Sequence, residues 1–185
     1  DEKNNNGDNC LLNAAHSGNV DLVKYLIDKG CSLNERKDIG DTCLLKASYF
    51  GKLNLVKYLL DNGCSIDEKN NYGDNCLLNA AQSGNVDLVK YLIDKGCSLK
   101  ERNNYGNNCL LKASLYGKLN LVQYLLDNGC SIDEKNNNGN NCLLNAAYSG
   151  NVDAAHSGNV DLVKYLIDKG CSLNERNKYG NNCLL

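Results

Sequence analysis

Cysteine and histidine bring the most chemistry to this chain, and their spacing decides which chemistry is open. Eleven cysteines scattered irregularly would suggest a disulfide framework, and CxxC pairs would suggest zinc. Neither pattern is present. The cysteines fall on two positions of a repeat: Cys10, Cys43, Cys76, Cys109, Cys142 and Cys183, then Cys31, Cys64, Cys97, Cys130 and Cys171. Structural thiols, acting as small buried hydrophobes, explain that placement better than disulfides, and disulfides better than a metal site. An odd number fits reduced thiols in an intracellular compartment. The two histidines, His16 and His156, occupy equivalent repeat positions and are expected far apart. No serine, cysteine or carboxylate stands beside either one in a catalytic arrangement. The GDN and GNN segments lack the spacing and the lysine of a phosphate loop. Runs such as Asp-Glu-Lys and Asn-Glu-Arg mix charge signs and read as solvated turns. The expectation is a protein without catalysis, cofactor or metal.

The elements that carry these residues are legible in Asn9 to Leu33. Asn9 suits the cap of a first helix, since its side-chain oxygen accepts from a free first-turn N–H. Gly18 suits the left-handed residue that ends that helix. A second helix is predicted from about Val20 to Lys29, with Val20, Val23 and Ile27, and Leu22 and Leu26, at three-and-four spacing. Asp21 sits near its positive end and Lys29 near its negative end, and Gly30 stops it. Neither helix buries its apolar face alone, so the unit needs copies of itself.

The chain supplies them. Helix-opening cysteines recur every 33 residues from Cys10 to Cys142, a period typical of stacked repeats. Odd copies read CLLNAA and even copies CLLKAS, so the full rhythm is 66 residues. Polar segments closing on Gly40, Gly73, Gly106, Gly139 and Gly180 separate the helix pairs and read as β-turns or short hairpin tips. The rhythm breaks once. AAYSGNVD (Ala146–Asp153) runs directly into AAHSGNVD (Ala154–Asp161), which puts Cys183 at 41 residues from Cys142. Either eight residues are duplicated and Gly150 to Gly158 loops out, or a stretch between the two copies is missing.

Composition narrows the function. Apolar residues make up 42%, enough for a core, and 20 basic against 22 acidic residues leave a net charge of −2. That balance argues against nucleic acid or an anionic membrane as partner. No apolar run reaches the length of a membrane span, and no signal peptide opens the chain. The opening DEKNNNG recurs at Asp133–Gly139, and the closing NNCLL starts another copy. An internal piece of a longer array is therefore expected, with its polar end caps elsewhere and its outer ends available for stacking within that array or assembly.

A helix–turn–helix of this period with a protruding turn resembles the ankyrin repeat. The stretch Gly7-Asp8-Asn9-Cys10-Leu11-Leu12-Asn13-Ala14-Ala15-His16-Ser17-Gly18 matches the family's G-x-T-P-L-H-x-A-A-x-x-G in part, and Gly30-Cys31-Ser32-Leu33-Asn34 meets its G-A-D-V-N. The resemblance covers residues 1–185 apart from the irregularity at 146–161. It implies an all-α ankyrin-type solenoid: one array of about five repeats with partial ends. Two departures matter. Cysteine replaces the proline at the first helical position. Leucine (Leu12, Leu45, Leu78, Leu111, Leu144) replaces the histidine that serves the family as a hydrogen-bonding post. Asn9, Thr42, Asn75, Asn108, Asn141 and Asn182 hold the cap position. The same fold is expected, held more by packing.

Comparing internal copies shows where the chain varies. The residue after the small pair is His16, Tyr49, Gln82, Leu115 or Tyr148. The tip residue before glycine includes Ile39, Tyr72, Tyr105 and Tyr179, and even copies carry Phe50 and Tyr116 where odd ones carry serine. These places resemble the family's concave first-helix face and hairpin tips, where protein partners bind. Tyr25, Tyr58, Tyr91, Tyr124 and Tyr165 recur unchanged in the second helix and read as packing residues. The expected function is a protein-binding module of the cytoplasm. The alternative is a scaffold or spacer in a periodic cytoskeletal or filament-associated assembly, which near-identical copies would suit.

Overall fold

The computed structural model of the chain describes residues 10–36, 39–152 and 158–183. Ten helices and no strands occur among the described residues. They are α1 (Cys10–Ser17), α2 (Val20–Asp28), α3 (Cys43–Tyr49), α4 (Leu53–Asp61), α5 (Cys76–Ser83), α6 (Val86–Asp94), α7 (Cys109–Leu115), α8 (Leu119–Asp127), α9 (Cys142–Val152) and α10 (Gly158–Asp168). Every odd-numbered helix opens on one of the helix-opening cysteines, so the sequence period is the structural period. This is the all-α helix–turn–helix architecture expected.

The chain divides into two compact units. The first comprises Asp1–Ala80 and Asp87–Cys97, the second Ala81–Val86 and Ser98–Leu185. The single array expected over residues 1–185 is thus described as two units, each by itself. In the first unit α1 packs on α2 and α3, α3 packs on α4, and α2 touches α4. In the second, α7 packs on α8 and α9, α9 on α10, and α8 touches α10.

Burial follows the repeat pattern. Leu44, Leu45 and Ala47 of α3 and Leu55, Val56 and Leu59 of α4 have no exposed surface; neither do Leu110, Leu111, Ala113, Leu121, Val122 and Leu125 in α7 and α8. Each such leucine contributes roughly 1.5–3 kcal/mol by leaving water. Leu12, Leu45, Leu78, Leu111 and Leu144, at the family's histidine position, are all buried. Apolar contact therefore replaces the polar post.

Capping is satisfied as the residue types predict. The side-chain oxygens of Thr42, Asn75, Asn108 and Asn141 accept from the N–H of Leu45, Leu78, Leu111 and Leu144 at 2.9–3.3 Å. Asn9 lies outside the described residues. The second helices divide by parity. Asn19 caps α2 through Leu22 N–H at 2.9 Å. Lys52 and Lys118, at the same place before α4 and α8, make no side-chain cap bond. Lys52 packs instead. A Cβ on Gly18 (φ +78°) would lie 2.6 Å from Lys52 Cδ, so glycine there answers both a left-handed backbone and the lysine stem of the next repeat.

Three expectations need correction. The second helix, predicted over about Val20 to Lys29, ends at Asp28: Lys29 N–H still donates to the Tyr25 carbonyl, but Gly30 N–H turns back to the Ile27 carbonyl at 2.8 Å with Gly30 at φ +97°. The second-helix tyrosines, expected as packing residues, lie at the surface of the helix pairs and not in the core. Tyr25 is 58% exposed, and Tyr58, Tyr91, Tyr124 and Tyr165 are half-buried. Their rings carry lysines instead: Lys24 stands 5.4 Å from the Tyr58 ring and Lys57 5.3 Å from the Tyr91 ring, each reaching from the preceding repeat. Finally, Gly150 to Gly158 is not simply a loop. α9 continues to Val152 and α10 begins at Gly158, so both helices run longer than their counterparts. Residues 153–157, where the duplicated segments meet, lie outside the described residues, and the choice between duplication and missing stretch falls there.

The tips are more ordered than solvated turns. Inside the tips at 67–73 and 133–139, one asparagine oxygen accepts two backbone N–H groups: Asn70 from Tyr72 and Asp74, and Asn136 from Asn138 and Asn140, all at 3.0 Å. The amide nitrogen of the same asparagine donates to the preceding tip, Asn70 to Asp41 and Asn136 to Asn107, at 2.9 and 3.0 Å. Arg36 donates to the carbonyls of Gly40 and Lys69, and Arg102 to those of Gly106 and Lys135. Adjacent tips are laced together within each unit.

Candidate partner-binding surface

The variable positions separate into three environments. In the first unit His16 stands one residue before the end of α1 at Ser17, and α3 ends on Tyr49, with Phe50 as its cap residue. The His16 and Phe50 rings stack, 3.9 Å between centroids and 16° between planes, and Tyr49 meets Phe50 edge-on at 4.9 Å. His16 and Tyr49 are exposed and Phe50 is half-buried. Three rings from two consecutive repeats thus form one ordered aromatic cluster. The local cause is parity. The serine ending α1 gives way to phenylalanine in the next copy, placing a ring where the preceding first helix stops.

In the second unit the corresponding place is filled differently. Gln82 is only 9% exposed, and its Oε1 accepts from Lys112 Nζ at 3.1 Å. Lys112, itself 5% exposed, also stands 5.8 Å from the Tyr116 ring. The expectation that Gln82 projects toward a partner is therefore corrected. Its amide serves to receive a buried ammonium, a group that is costly to bury without an acceptor. Leu115 is half-buried and Tyr116 exposed. Tyr148 on α9 is 62% exposed.

The tips present the third environment. Tyr72, Tyr105 and Tyr179 are exposed, the last at 71%, while Ile39 is half-buried and its carbonyl accepts from Asn71 N–H at 3.0 Å. These rings stand on backbone held by the asparagine and arginine bonds described above. Residue types alone left those asparagines and arginines as solubilising turns. The available signal was asparagine at the fourth place of the tip in Asn70, Asn103, Asn136 and Asn177, and arginine at the third place in Arg36, Arg102 and Arg176. The tip glutamates were missed too. Glu68 accepts from the Thr42 hydroxyl at 2.6 Å, and Glu175 from Asn141 Nδ2 at 2.9 Å and Lys135 Nζ at 3.0 Å. In these two places the tip thereby holds the cap residue of the copy before it.

The cysteines are all free thiols. Burial pushes Cys43 and Cys142 up to about 12 and Cys64 and Cys171 up to about 11. Cys76 is raised by its hydrogen bond with Cys97 and then by burial. Such thiols stay protonated and unreactive at neutral pH. Among the described residues no group of three or more histidine, cysteine or carboxylate side chains converges to hold a metal ion. No helix among them is long and apolar enough to cross a membrane.

Three overlapping stretches, residues 1–70, 62–136 and 116–185, match the family model for ankyrin repeats. A search of curated proteins found no match. Ankyrin repeats are in general protein–protein interaction modules and typically non-catalytic. With that match running over the whole sequence and the helix pairs repeating in step with it, the chain belongs to the ankyrin-repeat family.

Proposed function

We propose that this chain is a non-catalytic module that binds partner proteins through its first-helix ends and tips. The observation that carries the reading is the His16–Phe50–Tyr49 cluster. Large apolar rings at a surface contribute most to protein association, and rings already ordered before contact lose less entropy on binding. Leu115, Tyr116 and Tyr148 in the second unit, and Ile39, Tyr72, Tyr105 and Tyr179 at the tips, extend the same chemistry. Thiols raised by burial suit a reducing, cytoplasmic setting.

The test is capture of partners on the immobilised chain, beside a variant carrying Tyr49→Ser, Phe50→Ser, Leu115→Ser and Tyr116→Ser. Loss of a captured protein from the variant, with helical circular dichroism unchanged, supports the surface. Equal recovery on both removes it.

The laced tips favour a second reading, a spacer in a periodic cytoskeletal or filament-associated assembly. Bonds such as Arg36 to Lys69 and Arg102 to Lys135 join points 33 residues apart and would hold copies at fixed intervals. Decoration of filaments in a native extract, without a discrete partner, distinguishes it.

A further inference from the structure

The two cysteine positions, separate in sequence, meet in space. Cys10 Sγ and Cys31 Sγ lie 3.6 Å apart, and Cys76 Sγ and Cys97 Sγ 3.8 Å apart. The fold produces the pairing. One thiol opens the first helix, and the other follows Gly30 or Gly96, whose φ of +97° or +102° turns the chain back after the second helix. The Cys31 N–H bonds to the Leu26 carbonyl, and Cys97 repeats this with Leu92, each at 3.0 Å. A disulfide spans about 2.05 Å, so each pair needs an approach of about 1.6–1.8 Å, within reach of a side-chain rotation.

We propose that Cys10 and Cys31 form a site of reversible oxidative modification, closed to a disulfide within the repeat by a small hydroperoxide, while the Cys76–Cys97 pair is shielded. Access separates them. Cys10 is exposed and Cys31 half-buried, whereas Cys76 has no exposed surface and its thiol also donates to the Ile66 carbonyl at 3.5 Å. The reaction has two steps. The Cys10 thiolate attacks the hydroperoxide. The O–O bond breaks, the distal oxygen becomes a sulfenic acid on Cys10, and the alcohol or water leaves with a proton. The Cys31 sulfur then attacks the Cys10 sulfur, the S–O bond breaks, and the hydroxyl leaves as water with the Cys31 proton. Two electrons pass from the two thiols to the peroxide. Burial and then the hydrogen bond with Cys10 hold Cys31 protonated, so Cys10 and not Cys31 meets the peroxide first, and Cys31 follows because its sulfur already lies 3.6 Å away. The product ties the start of α1 to the segment after α2, and any thiol reductant reverses it.

The test treats the full chain with hydrogen peroxide, quenches with N-ethylmaleimide and maps peptides by mass. The expected result is a Cys10–Cys31 linked peptide, lighter by two hydrogens and restored by dithiothreitol, with Cys76 and Cys97 both still alkylated. In denaturant the second pair should oxidise as readily as the first. Cys31→Ser should leave Cys10 as a dimedone-trappable sulfenic acid, and Cys97→Ser should leave the Cys10–Cys31 link intact. Recovery of Cys10 in sulfinic form beside free Cys31 would overturn the proposal. Equal oxidation rates for both pairs in the folded chain would overturn it as well.

Discussion

Gln82→Ala probes the polar contact that separates one half of the two-repeat rhythm from the other. Lys112 is almost wholly buried, and its ammonium lies 3.1 Å from Gln82 Oε1. A hydrogen bond with a charged partner contributes about 1.5–3 kcal/mol. Truncating a nine-tenths buried glutamine also removes stem contacts, adding about 1 kcal/mol. The expected loss is therefore about 2.5–4 kcal/mol. Lys112→Met retains the stem and removes the charge, so Gln82→Ala in that background should cost only the packing share. The double-mutant cycle should return a coupling of about 1.5–3 kcal/mol. The assay is urea unfolding followed by far-ultraviolet circular dichroism. With a slope of about 2 kcal/mol per molar, the Gln82→Ala midpoint should fall by about 1–2 M. A coupling below about 0.3 kcal/mol would refute the reasoning, because the ammonium would then be held without help from the glutamine oxygen.

Two further outcomes follow from the caps and thiols. Asn108→Ala should cost about 1–2 kcal/mol, since its buried oxygen accepts the Leu111 N–H at 3.0 Å, while Asn108→Thr should recover most of that, as Thr42 does the same work before α3; thermal melts of the three proteins decide. Stability should fall as pH rises above about 9, because unfolded thiols ionise there while Cys43 and Cys142 keep their protons to about 12. The stabilisation is complete below pH 9 and is lost progressively toward 12, at about 1.4 kcal/mol per pH unit for each thiol. Replacing both with alanine should make the fall of urea midpoints between about pH 9 and 10.5 shallower, Cys64 and Cys171 supplying part of the remainder, and an unchanged slope would place the alkaline loss elsewhere.

What the sequence made legible was whatever depends on neighbours along the chain. Cap identity at Thr42 and Asn108, the glycine stops and the leucine burial all follow from residue type at a repeat position. What stayed hidden depends on neighbours one repeat away or across a helix pair. The Cys10–Cys31 approach leaves only a 21-residue offset in sequence, which says nothing about distance until the turn after α2 is placed. Gln82 looked like a surface residue because glutamine usually is one, and only the buried Lys112 reaching from the next copy draws it inward. The second-helix tyrosines misled for the opposite reason. Their invariance says that they pack but not where, and lysines lie over the Tyr58 and Tyr91 rings at the surface, where a repeated contact is as invariant as a repeated core.

The same register position is thus solved in two ways, and the difference bears on recognition. Where α1 meets α3, a histidine ring lies on a phenylalanine, and the cluster offers apolar and aromatic surface. At Gln82 and Lys112, an amide receives an ammonium beneath Tyr116, so the cation is withdrawn and the tyrosine ring remains outside. Both solutions fill the gap left where a first helix stops, so neither alters the leucine and alanine core beneath. Surface chemistry can therefore differ between copies while packing does not. That independence allows nearly identical repeats to present unlike surfaces: the core is set by Leu44, Leu45, Leu110 and Leu111, and the exposed chemistry is varied at helix ends, the positions through which we propose that partners bind.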